Sequence, residues 1–136
     1  MKLKEDFVTN SSSSSFVALG ATFERSEFFK ANIQKIKEIY EKDGRVLPFD
    51  PTNVTYDDIY DLYDEMWEIV EDLMAGTELE CSFRHSDSDY LMIGVPYTSM
   101  PDDETMGQFK ERVQKLLEDF GHNGRVHHIE ECWMDY

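Results

Sequence analysis

The sequence predicts an α+β domain with a mostly antiparallel sheet, and three observations lead there. The hydrophobic period switches between strand and helix values in the order β-α-α-β-β-α-β. Hydrophobic residues make up 40% of 136 residues and aromatics 13%, enough to bury the core of one ordinary domain. A cleanly alternating segment, a polar turn and a second apolar segment together read as a hairpin near the middle of the chain.

Residues 1–15 end in five serines, Ser11 to Ser15, and read as a Ser-rich lead before a single domain over 16–136. Phe16 to Phe23 is a short apolar run suited to a buried strand. From there the period becomes helical. Phe29, Ile33, Ile36 and Tyr40 recur at spacings of four and three, which predicts a helix over 25–43 with Gly44 as its stop. Pro48 and Pro51 make 44–54 an extended connection, able to reach roughly 36 Å. Thr55 is the expected N-cap of a second helix running to Gly76.

The alternation of Leu79, Cys81 and Phe83 with Glu78, Glu80 and Ser82 predicts a strand over 77–85 with the two sets on opposite faces. Ser86-Asp87-Ser88 turns the chain into a strand over 90–97. Pro101 and the acids Asp102 to Glu104 resemble a helix entry, and Met106, Phe109, Val113, Leu116, Leu117 and Phe120 supply its apolar face. Residues 124–133 are expected to be the last strand. The order is that of a ferredoxin-like split βαβ with an extra helix in the first crossover. Such a fold places the first and third strands, the two most apolar, at the centre of the sheet.

Charge is the unusual quantity. Twenty-nine acids against thirteen bases give −16, which argues against direct binding of nucleic acid or anionic lipid and favours a basic protein partner. Much of the charge sits on the second helix. At 100° per residue, Asp57, Asp58, Asp61, Asp64, Glu65, Glu68, Glu71 and Asp72 fall within about 140° of arc. The opposite arc, about 180°, is apolar: Ile59, Leu62, Met66, Ile69 and Leu73 on one half, Tyr56, Tyr60, Tyr63, Trp67, Val70 and Met74 on the other. So wide an arc predicts two contact surfaces, the second being the preceding helix or a partner. Residues 46–80 hold eleven acids and no base, so the acidic arc has no local compensation. Carboxylates one helical turn apart, about 5.4 Å, approach the phosphate spacing of nucleic acid, so a nucleic-acid mimic is the sharpest form of this expectation.

Catalytic chemistry is not signalled. No GxGxxG, P-loop, HExxH, GxSxG or EF-hand pattern occurs, and no cofactor, metal site or catalytic residue is expected. His85, Asp87 and Asp89 crowd the hairpin turn, and turn chemistry accounts for the aspartates. This turn and an open sheet face are the alternative reading, a small-ligand binder or enzyme. His127 and His128, adjacent on a strand, point to opposite faces. Cys81 and Cys132 lie on strands expected at opposite edges and read as packing residues that cannot pair. The aromatic end, Trp133 to Tyr136, either seals the sheet or meets a second copy, so a homodimer is a further expectation. The absence of a long apolar run and of a signal-peptide pattern places the chain in the cytoplasm with no membrane partner.

One stretch has a resemblance. Asp6-Phe7-Val8-Thr9-Asn10 followed by Ser11 to Ser15 and Phe16 is similar to a tag, DFVTNSSSSSF, at the start of assorted, otherwise dissimilar bacterial and phage proteins. The resemblance covers eleven residues. It implies a bacterial or phage origin and a shared N-terminal handling step, and it assigns no binding or catalytic residue.

Overall fold

The computed structural model describes residues 13–83 and 89–134. Four strands, β1 (Ser13–Glu24), β2 (Glu80–Phe83), β3 (Tyr90–Pro96) and β4 (His127–Met134), form one sheet in the order β2-β3-β1-β4. Every pairing is antiparallel. The apolar strands β1 and β3 are central, as their composition predicts. The sheet extends further into the serine run than the apolar pattern indicates: Ser13, Ser14 and Ser15 pair with Met134, Trp133 and Cys132. A serine can continue a ladder through its backbone, which the apolar pattern does not record.

Gly20 and Gly94 lie opposite each other where β1 meets β3. A Cβ on Gly20 would fall 2.1 Å from the Ile93 carbonyl oxygen, and one on Gly94 2.5 Å from that of Leu19. The central strands approach so closely that neither position has room for a side chain.

Leu19, Ala21, Leu91, Ile93, Val95 and Cys81 point from the sheet into the main core. The helices cover that side: α1 (Arg25–Ala31), α2 (Ile33–Lys42), α3 (Tyr56–Asp61), α4 (Met66–Met74) and α5 (Met106–Glu118). Phe28, Phe29, Ile36, Ile59, Ile69, Phe109 and Leu117 complete the core and are essentially inaccessible to solvent. Phe16, Ala18, Met92 and Ile129 form a second buried cluster on the opposite face. Ser82 beside Met92 is also buried, and burial raises the Glu80 carboxyl above its usual range. Apolar side chains therefore pack on both sides of the sheet.

The first two predicted helices are each two helices. The segment predicted as one helix over 25–43 breaks at Asn32, where φ −112° and ψ 16° end α1 and begin α2. The Asn32 amide turns inward and donates to the Phe28 and Phe120 carbonyls, both at 2.9 Å. It ties the break to the turn that follows α5, giving the Phe120 carbonyl a donor. The acidic helix is interrupted by a 3₁₀ turn, Tyr63–Glu65, between α3 and α4. Bonds of i→i−3 type, Leu62 N to Ile59 O and Glu65 N to Leu62 O, tighten the chain here.

The last helix begins at Met106 rather than at Pro101. Thr105 and Gln108 form a reciprocal capping box, which fixes the start more strongly than the acids before it. Among the described residues, no helix is long and apolar enough to cross a membrane.

Candidate interaction surface

The aliphatic half of the acidic segment does what its spacing predicts: Ile59, Leu62, Met66, Ile69 and Leu73 are all buried. The aromatic half divides. Val70 and Met74 are buried, Tyr63 is half-buried, and Tyr56, Tyr60 and Trp67 remain exposed. The second contact surface inferred from the wide apolar arc is thus partly filled inside the molecule, where α4 packs on α2, and partly open.

The eight carboxylates also divide, and the expectation of one uncompensated arc on one helix is corrected. Asp58 is engaged locally. Its side chain accepts from the Thr55 backbone N–H while the Thr55 hydroxyl accepts from the Asp58 N–H, closing the capping box of α3. Glu65 is half-buried and accepts a hydrogen bond from the Tyr40 hydroxyl. Arg45 reaches the same carboxylate at 3.3 Å and lies 4.3 Å over the Tyr40 ring. Burial first, and then the Glu65 carboxylate, push the Tyr40 phenol up to about 12. Asp72 lines a groove of about 300 Å³ with Lys35, Glu38 and Lys42, so bases of α2 stand near it. Asp57, Asp61, Asp64, Glu68 and Glu71 are exposed.

A separate concavity of about 170 Å³ lies where β1, α1, α3 and β3 meet, lined by Glu24, Ser26, Tyr56, Tyr63, Asp89 and Tyr90. Glu24 and Tyr90 are cross-strand partners, which fixes two of its walls. The Ser26 hydroxyl donates to Glu24 Oε1 at 2.7 Å. The Arg25 N–H donates to the Asp89 carbonyl at 2.8 Å, holding the entry of β3 against α1. The Arg25 guanidinium is buried, 5.8 Å from the centre of the Tyr63 ring. Burial, followed by Tyr56 and Asp89, raises the Tyr63 phenol above its usual range. Tyr60 adjoins the pocket wall, with its ring 5.0 Å from that of Tyr63.

Other chemistry-bearing residues are scattered. His128 stacks on Tyr97 and meets its hydroxyl at 3.0 Å through Nδ1, with Glu130 3.5 Å from Nε2. The register places His128 opposite Leu19 and His127 opposite Gly20, on the two faces of the sheet as expected. Cys81 is buried, and the strand order separates its strand from that of Cys132. His85 and Asp87, named for the hairpin turn, lie outside the described residues. Among those described, no group of three His, Cys, Asp or Glu side chains could hold a metal ion.

Sequence reasoning missed the Arg45 and Tyr40 partners of Glu65 and the pocket itself. Arg45 stands one residue before the base-free window, and no periodicity links positions 20 apart. The tyrosines of the pocket were visible at helical spacing, but Glu24, Asp89 and Tyr90 join them only through the β1–β3 pairing. No family model, no curated protein and no solved structure matches the chain.

Proposed function

We propose that this chain is a non-enzymatic acidic interaction protein that binds a basic protein partner through the surface of α3 and α4. The observation that carries the reading is the exposure of Asp57, Asp61, Asp64, Glu68 and Glu71 in a stretch of eleven acids and no base. Like charges at this density destabilise a helix, by about 0.2–0.5 kcal/mol per i,i+4 pair. Selection for stability alone would intersperse bases. Exposed aromatics beside the acids, Tyr60 and Trp67, add the large amphipathic side chains that anchor protein interfaces.

Nucleic-acid mimicry is the narrower form. The turn-by-turn carboxylate ladder it needs has helical register only within α3 and within α4, because the 3₁₀ turn intervenes. A basic protein surface requires no such regular ladder, so it is the form we favour. The fold reading belongs with it: strand order and antiparallel pairing support a ferredoxin-like split βαβ, with the additional helices in the first crossover.

The test is capture from a bacterial lysate at low ionic strength followed by stepwise salt. Exposed ion pairs weaken as the Debye length falls from about 10 Å at 0.1 M to about 3 Å at 1 M. The reading requires a basic protein that is retained at low salt, released at high salt, and lost with Asp61→Lys, Asp64→Lys and Glu68→Lys combined. A partner retained by that variant would reject it.

A further inference from the structure

The pocket between β1, α1, α3 and β3 combines carboxylates and aromatic rings in one lining. Glu24 and Asp89 are exposed carboxylates on its rim, and Tyr56 and Tyr90 present half-exposed rings, at 56% and 48%, beside the more buried Tyr63. Two carboxylates repel an anion. Aromatic faces attract a cation through the ring quadrupole. We infer that this pocket seats one arginine side chain presented by the basic partner. The inference rests on the acidic-surface reading and locates the anchor within it.

Guanidinium suits the pocket better than ammonium. It is planar and weakly hydrated, stacks on aromatic rings, and donates a fork of N–H groups that matches a carboxylate. An ammonium is compact and strongly hydrated, and gains less from a flat aromatic wall. The chain supplies an internal precedent, since Arg25 already places its guanidinium against the Tyr63 ring from within the protein. Arg25 is 5% exposed and outside the pocket lining, and its charge opposes a second cation near Tyr63, so the rim carboxylates Glu24 and Asp89 carry the attraction. Ser26 fixes Glu24 by donating to Oε1, and the β1–β3 register fixes Tyr90 opposite Glu24. The walls are therefore held by the fold before any partner arrives.

The experiment titrates the full chain with N-acetyl-arginine amide, and separately with N-acetyl-lysine amide, following backbone amide shifts by NMR. The expected result is saturable shifts at Tyr56, Tyr63, Asp89 and Tyr90, with tighter binding of the arginine compound. Tyr90→Ala and Tyr56→Ala should each weaken it about two- to fivefold, the worth of one exposed cation–π contact. Both residues are exposed, and retained shift dispersion elsewhere verifies the fold. Shifts absent from these amides, identical for both compounds, or unchanged by both variants would overturn the inference. The combined Asp61, Asp64 and Glu68 reversal should leave these shifts in place. Failure of the acidic-surface reading is then seen in the lysate capture, and failure of the pocket in this titration.

Discussion

Gly20 and Gly94 face each other so closely that a methyl group on either would enter the partner backbone. Gly94→Ala should therefore destabilise by at least about 2 kcal/mol, in the range of overpacked cores, as measured by urea unfolding. Gly107 makes the contrasting case. A Cβ there meets only the Thr105 hydroxyl at 3.9 Å, and the residue is helical. Gly107→Ala should stabilise by a few tenths to about 1 kcal/mol. Tyr40 gives a pH prediction. Its folded pKa of about 12 lies above the ordinary phenol value of 10.0, so the unfolded chain loses this proton first. The contribution is fully present below pH 10 and is lost as pH rises toward 12. Tyr40→Phe should remove that part of the alkaline decline and cost about 1 kcal/mol at neutral pH through the lost bond to Glu65. Comparing the alkaline unfolding slopes of the two proteins isolates the effect from the other tyrosines.

At the scale of elements, caps and breaks carry the local energetics. Asn32 bonds the Phe28 and Phe120 carbonyls where α1 gives way to α2. Asn32→Ala leaves buried acceptors without this donor and should cost about 1–3 kcal/mol by urea unfolding. What was legible here divides by physical cause. The 3.6-residue period found the buried faces of both long helical segments, because burial obeys that period whether or not the helix is continuous. It could not find the break at Asn32, whose amide is tied to Phe120 far along the chain, or the local 3₁₀ bonds at Leu62 and Glu65. The alternation of Leu79 and Cys81 correctly gave the core side of β2. It placed Ser82 on the other face but does not record that Ser82 is buried there beside Met92. The acids of α3 and α4 were visible as a group, but Arg45 and Lys35 approach them only through tertiary packing.

Across the whole molecule, the sheet order β2-β3-β1-β4 sets the functional geography. It brings the end of β1 and the start of β3 together beneath α3, so the tyrosine pocket adjoins the acidic segment. The second buried cluster, Phe16, Ala18, Met92 and Ile129, removes those four residues as an exposed apolar sheet patch. Asp57, Asp61, Asp64, Glu68 and Glu71 are exposed beside Tyr56, Tyr60 and Trp67 on the α3–α4 side, the surface proposed to meet a basic partner. The most direct measurement is the salt dependence of affinity for a basic partner recovered from lysate, compared between the native chain and the Asp61→Lys, Asp64→Lys, Glu68→Lys variant. The account predicts an affinity that falls steeply with salt in the native chain and is abolished in the variant. Equal affinity of both proteins, or an affinity indifferent to salt, would contradict it.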